Sequence, residues 1–177
     1  MKKLYVCDFD GTLYNKYNER QFKSALEYIE KLIEKGNEFI VATGRPLHLL
    51  EPFFPDFNNM YFISCDGALF SKGFNIIKSF PISKEKVKEK LSGYVGNFIA
   101  YGQCITYINC KEKAFAHKLS EFYRHHITKI DCVCEIKEDI YKISLNPDSP
   151  ACDFLSKCWS SYGITEYVDN SVTKGEC

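Results

Sequence analysis

At 177 residues, the chain is long enough for one generous domain or two small ones. A hydrophobic share of 45% and a charged share of 26% are those of an ordinary globular protein. Its 23 basic side chains balance 23 acidic ones, so nothing in the charge argues for nucleic acid or a membrane surface as partner. No apolar run approaches the ~18 residues of a membrane span. The N-terminus carries no apolar stretch of the signal-peptide kind, and a cytoplasmic protein is expected.

The chain opens with a short apolar strand over Leu4–Cys7. A helix follows over Glu19–Lys35, where Phe22, Ala25, Leu26, Ile29, Leu32 and Ile33 fall on one stripe and Gly36 closes the last turn. Phe39–Ala42 is a second buried strand. Pro46 suits the first turn of another helix, which Pro52 and Pro55 end. Tyr61–Ile63 is a third strand, and strand–helix alternation of this kind predicts a parallel sheet with helices packed on it. Two apolar stretches around Ser71-Lys72-Gly73 then predict a hairpin over Ala68–Phe80.

Beyond Pro81 the pattern changes. Ser83 caps a helix reaching about Leu91, and Asn97–Tyr101 and Cys104–Asn109 are strands split at Gly102. Ala114–Arg124 is helical, Ile130–Ile136 and Ile140–Asn146 are strands, Pro150–Tyr162 is a helix ended by Gly163, and Ile164–Val168 is a last strand. Consecutive strands with tight turns predict an antiparallel sheet. The fold class expected is α/β: a parallel-sheet core from 1–81 and 164–177, with a smaller α/β domain inserted over 82–163. Trp159 belongs to the core of that insert. Lys142, alternating with Tyr141 on an insert strand, reads as part of a solvated face.

Nine cysteines are an odd number in a chain too long for a small disulfide scaffold. Cys132-x-Cys134 with His117, His125 or His126 offers zinc ligands, but the spacing fits no common zinc pattern. Reduced thiols packed as small apolar groups are the better reading.

The chemistry concentrates at Asp8-Phe9-Asp10-Gly11-Thr12-Leu13. Extended alternation puts Asp8 and Asp10 on one side at a strand's end. Two like charges so close cost free energy unless a cation lies between them, and Mg2+ suits carboxylate and water oxygens. Gly11 permits a sharp turn that aims amides at an anion. Thr43-Gly44-Arg45 and Cys65-Asp66-Gly67 each follow a predicted parallel strand, and the carboxyl ends of such strands converge on a ligand crevice. Phe9, Gly11 and Gly44 would offer amides to a phosphate there, with Arg45, Asp66 and Gly67 beside them.

Asp-x-Asp-Gly-Thr-Leu resembles the first motif of the haloacid dehalogenase superfamily of phosphatases. Thr43-Gly44-Arg45 is similar to its second motif. Cys65-Asp66-Gly67-Ala68 resembles the Asn-Gly-Ala turn of the Cof-like branch, with Asp66 in place of Asn, and Val172-Thr173-Lys174-Gly175 resembles the Lys-Gly third motif. The resemblance implies a Rossmann-like core whose insert is a cap covering the active site. It also implies a Mg2+-dependent phosphatase of small phosphorylated, sugar-phosphate-like metabolites. In that scheme Asp8 is the nucleophile that forms an aspartyl-phosphate, and Asp10 is the general acid and base. Asp8 and Asp10 also hold the metal, Asp10 through its backbone carbonyl. Thr43 binds a phosphate oxygen, and Lys174 balances charge. Arg45 and Asp66 orient the substrate.

Plainer roles stand beside these. Either Asp can cap a turn, Thr43 can N-cap the next helix, Asp66 can serve its turn alone, and Lys174 lies three residues from the last residue of the sequence. A phosphomutase or a non-catalytic protein that binds phosphorylated ligands would use the same groove. The family's fourth motif, Gly-Asp-x-x-Asn-Asp, should follow Lys174 by several tens of residues, whereas the sequence reaches Cys177; Asp169-Asn170 precedes Lys174 and lacks the glycine. The resemblance therefore covers the first two thirds of such a phosphatase. It implies weakened turnover and an open edge on the 4–8 strand that invites pairing with a second copy.

Overall fold

A computed structural model describes residues 1–94, 96–109 and 126–145. The expected helices at 114–124 and 150–162, the last strand at 164–168, Trp159, His117, His125 and Lys174 lie outside the described residues. Strand β1 (Leu4–Asp8) leads to helix α1 (Glu19–Glu34), then β2 (Glu38–Ala42) and β3 (Tyr61–Ser64), with β4 (Leu69–Lys72) and β5 (Asn75–Ser79) forming the hairpin. These five strands make one sheet in the order β1-β2-β3-β4-β5. Among them β1, β2 and β3 run parallel, and β3-β4 and β4-β5 are antiparallel. Helix α2 (Lys84–Leu91) precedes the second sheet, built from β6 (Phe98–Gly102), β7 (Thr106–Asn109), β8 (Ile127–Lys129) and β9 (Ile140–Leu145) in the order β8-β7-β6-β9.

The caps of both helices follow from local chemistry. Asn18 accepts the N–H of Gln21 at the start of α1, and Ser83 accepts that of Lys86 at the start of α2. After α1 the chain turns at Gly36, whose φ of +81° an L side chain rarely adopts. The stripe of α1 places Phe22, Ile29 and Leu32 in a core with Phe9, Phe39, Val41, Phe54 and Phe62. Phe9 is fully buried at its centre, with ring centroids of Tyr14 at 5.3 Å, Phe53 at 5.1 Å and Phe54 at 5.5 Å. Each such ring contributes about 1.5–3 kcal/mol through burial alone. The loop that follows Asp8 is thereby pinned by its own Phe9.

Two expected elements differ. The helix after Pro46 is instead a pair of 3-10 turns, Leu47–Leu49 and Glu51–Phe53. Pro52 has no N–H to give to a carbonyl four residues back, so no α-helical bond runs through it and the turns stay separate. The strand expected over Ile130–Ile136 is a short strand upstream, β8, followed by a 3-10 turn at Val133–Glu135. The carboxylate of Glu135 accepts the N–H groups of Asp131 and Cys132, both at 2.9 Å, and folds the segment back on itself. Moreover β8 pairs with β7 in parallel, Thr106 opposite Ile127 and Ile108 opposite Lys129. The second sheet is therefore mixed rather than wholly antiparallel. Cys132 and Cys134 are joined as a disulfide, Cα atoms 5.1 Å apart, in place of the free thiols expected there. The tight turn itself brings these two neighbours together. Of the described free cysteines, Cys65 is buried and Cys104 exposed.

Among the described residues β1 pairs on one side only, with Leu4 57% and Val6 60% exposed. No helix there is long and apolar enough to cross a membrane.

The two sheets meet at a histidine. His48, on the turn after Arg45, shares its Nδ1 with the carbonyl of Gln103 at 3.1 Å and its Nε2 with Thr106 Oγ1 at 3.0 Å. A neutral ring satisfies both partners by donating to the carbonyl and accepting from the hydroxyl. Burial lowers its pKa from 6.5 to about 4; the Gln103 carbonyl opposes this and His126 adds to it. A pKa lowered on folding gives stability that is complete above about 6.5 and is lost as pH falls toward 4. Acidification from pH 7 to 5 should therefore cost about 2 kcal/mol through this group. Denaturant melts of the wild type and His48→Gln at both pH values should show the pH-dependent loss shrinking by that amount in the variant.

Candidate active site

The register of the parallel strands builds the site. Asp8 pairs with Ala42, and Ala42 with Ile63, so the three strands end level with one another. The loops that leave them, 8–14, 43–46 and 64–68, rise side by side from the carboxyl edge of the sheet.

The first loop is a closed turn. Leu13 and Tyr14 give their N–H groups to the carbonyls of Asp8 and Phe9, and Gly11 gives its own to Tyr14. Gly11 holds a φ of +81°, which accounts for glycine there. Its amide, offered to a phosphate by the sequence reading, is already bonded inside the loop. Thr12 donates its hydroxyl to Asp8 Oδ2 at 3.1 Å, fixing the carboxylate at the strand end.

The second loop grips the first. Arg45 places Nε 2.8 Å from Asp10 Oδ2 and Nη2 2.6 Å from Asp10 Oδ1, a forked pair. Its guanidinium lies 5.0 Å from the centroid of Phe9 and 5.2 Å from that of Phe53. The positive charge beside Asp10 is therefore Arg45, and the carboxylate of Asp10 is turned to it rather than to a cation shared with Asp8. Thr43 is buried; its Oγ1 accepts the N–H of Arg45 at 3.1 Å, which braces the Thr-Gly-Arg turn from within.

The third loop is left-handed at three successive residues: Cys65 (φ 51°), Asp66 (φ 55°) and Gly67 (φ 96°). Glycine accepts this freely and Asp tolerates it, whereas at Cys65 it carries strain. Bonds to the second loop hold the turn: Cys65 N–H reaches the carbonyl of Arg45 at 3.0 Å, and Asp66 N–H that of Thr43 at 3.4 Å. Burial pushes the Cys65 thiol up to about 12, with Lys142 opposing and Asp66 adding, so it stays protonated and is no nucleophile at neutral pH.

Lys142 of β9 crosses to these loops. Its Nζ lies 2.7 Å from Asp66 Oδ2 and 3.1 Å from the carbonyl of Gly44. A Cβ on Gly44 would sit 2.6 Å from Asp66 Oδ1 and 3.2 Å from that ammonium, so only glycine leaves room for the pair. The reading of Lys142 as part of a solvated face is thus overturned. Alternation along β9 names which face the side chain occupies, but not that this face meets the loops of the other sheet. The described loops bring Asp8, Asp10, Thr43, Gly44, Arg45, Asp66 and Gly67 together. Among the described residues no group of three or more His, Cys, Asp or Glu side chains is arranged to hold a metal ion.

A family model of haloacid dehalogenase-like hydrolases matches residues 5–172. The 5-amino-6-(5-phospho-D-ribitylamino)uracil phosphatase YbjI of Escherichia coli is 26% identical over 153 residues, 81% of this chain and 55% of that protein. Among solved structures, a haloacid dehalogenase-like hydrolase from Bacteroides thetaiotaomicron superposes with a TM-score of 0.72 at 19% identity, over 92% of this chain and 65% of the other. The subclass IIB sugar phosphatase BT4131 gives a TM-score of 0.66 at 22% identity, over 89% and 64%. The chain thus spans 55% of the length of its curated relative and about two thirds of those structures.

The Arg45–Asp10 fork joins a side chain only 14% exposed to one that is 50% exposed, so solvent screens much of the attraction. A double-mutant cycle with Asp10→Ala and Arg45→Met should return a coupling of roughly 1 kcal/mol in urea denaturation, falling with added salt.

Proposed function

The chain belongs to the haloacid dehalogenase-like hydrolases, and from that premise we propose that it is a phosphatase acting on small phosphorylated metabolites through an aspartyl-phosphate on Asp8. The observation that carries this reading is the level ending of β1, β2 and β3. It stands Asp8 at the carboxyl edge of the sheet, its one oxygen fixed by Thr12, beside the loops of Thr43 and Asp66. The relatives support the reaction class: one is a phosphatase of a phosphoribitylamino-uracil and another a sugar phosphatase.

In this mechanism a carboxylate oxygen of Asp8 attacks phosphorus, and the bond from phosphorus to the ester oxygen breaks. Asp10 enters the cycle protonated and outside the fork with Arg45, gives that proton to the departing oxygen, and regains one from the water whose oxygen attacks the same phosphorus. The bond from phosphorus to Asp8 breaks, releasing phosphate and restoring the carboxylate. For either transfer Asp10 must leave the fork with Arg45. Its half-exposed side chain has the room to turn. Thr43, from its buried place in the turn, positions the backbone that faces the phosphate.

Mg2+ fits the oxygen chemistry here in part. Asp8 presents a hard carboxylate at the loop, and Asp10, its own carboxylate engaged, would contribute its main-chain oxygen. The ion supplies neutralisation of charge on the transferring phosphoryl group. Lys174, outside the described residues, is proposed to share that task. The strands and α2 of the second sheet are proposed as a cap over residues 82–163, and the exposed edge of β1 as a surface that pairs.

The test is phosphate release from p-nitrophenyl phosphate with Mg2+, the wild type set against Asp8→Asn. Asp8-dependent release, falling by at least ~10²-fold in the variant, is expected. Activity that survives Asp8→Asn defeats the covalent mechanism. Tight phosphate binding without release from any ester identifies a protein that binds phosphorylated ligands and does not hydrolyse them.

A further inference from the structure

Resting on the phosphatase reading, we infer that Lys142 and Asp66 together form the subsite for the leaving group, and that it takes neighbouring hydroxyls of a polyol phosphate. The pair spans the two sheets. It stands one residue from Arg45, whose fork holds the proposed acid and base, because Gly44 both precedes Arg45 and receives the Lys142 ammonium on its carbonyl.

Three independent features converge on this pair. The backbone at Cys65 and Asp66 holds positive φ, a conformation that is strained for a residue such as cysteine and persists only where surroundings enforce it. Its effect is to hold the Asp66 carboxylate against the second loop. Gly44 leaves a gap that a single methyl would fill, and the gap admits the ammonium. On β9, Lys142 lies in register with Tyr101 of β6, and its Nζ is 5.9 Å from the centroid of that ring. The same face of the second sheet carries Thr106, which meets His48 from the other side. Thus the face bearing Lys142 is the one turned toward the loops.

The charges choose the ligand. The carboxylate of Asp66 cancels the ammonium of Lys142, so a second anionic group on the substrate gains nothing there. What remains is a donor beside an acceptor. An ammonium has three N–H bonds, and two go to Asp66 and Gly44. Asp66 Oδ1 carries no hydrogen bond among the described residues. One free N–H and one free carboxylate oxygen, held on a pair only 2.7 Å apart, match two hydroxyls on adjacent carbons, one accepting and one donating. The neighbouring Tyr101 ring suits the C–H faces between them. With the usual Asn at position 66 there would be no charge to hold the lysine in this place.

The test measures binding in an Asp8→Asn background, which prevents turnover, with Mg2+ present throughout. Ribitol 5-phosphate is compared with n-pentyl phosphate, which has the same carbon chain without hydroxyls. The parent should prefer the polyol ester by about tenfold or more. The double variant Lys142→Met with Asp66→Ala, which removes both charges together, should abolish the preference and leave the affinity for n-pentyl phosphate unchanged. Equal affinities in the parent, or a preference that survives the double variant, overturn the inference and leave the phosphatase reading standing. Parallel weakening of both ligands assigns the pair a structural role and overturns it also. A parent that binds neither ester defeats the phosphate site itself, and this subsite with it.

Discussion

The forked bond from Arg45 to Asp10 organises the molecule around it. Arg45 is largely buried, and a buried guanidinium must have a counter-charge and flat neighbours. The rings of Phe9 and Phe53 supply the neighbours, and Asp10 supplies the charge. Because Phe9 precedes Asp10, one aromatic core residue and one site residue are fixed in a single step. The loop after β1 cannot move without disturbing either the core or the ion pair. The Thr43 hydroxyl, bonded to the Arg45 N–H, holds the other end of the same link.

From this centre the contacts run outward in both directions. The Arg45 carbonyl anchors the left-handed turn at Cys65, and that turn aims Asp66. The Gly44 carbonyl draws Lys142 across from β9. Three residues on from Arg45, His48 reaches the second sheet through Gln103 and Thr106. Among the described residues, the segment 43–48 thus carries three polar links from the first sheet to the second, beside the Asp66–Lys142 pair. On the proposed function, a ligand that took Asp10 or Asp66 from its partner would act on this same segment.

Local chemistry made much of this legible in advance. The stripe from Phe22 to Ile33, the cap at Ser83 and the turn at Gly73 are each determined within a few residues, and these elements stand where the pattern puts them. The convergence of Asp8, Thr43 and Asp66 was legible too, because buried strands separated by a helix or a long loop run parallel and end together. What escaped the pattern depended on bonds between distant residues. Glu135 folds a β-rich run into a turn by capturing two amides, and no periodicity announces that. The parallel pairing of β8 is set by its register with β7, which the composition of the strand does not announce.

Lys142 shows why a side chain that reaches from one sheet to the loops of another is the hardest to read. Its neighbours Tyr141 and Ile143 alternate with it as on any half-exposed strand, and an isolated lysine there belongs in water. Only the tertiary arrangement supplies a carboxylate at 2.7 Å and a carbonyl at 3.1 Å, a pair of partners that outweighs hydration of an ammonium 26% exposed. The one signal within the sequence is the Asp at 66 in a turn where the resembling branch carries Asn. On the proposed function, an acid at a site for anionic esters would repel the ligand unless a cation cancelled it. Such a substitution implies a basic side chain somewhere opposite, and Lys142 is where the fold supplies one.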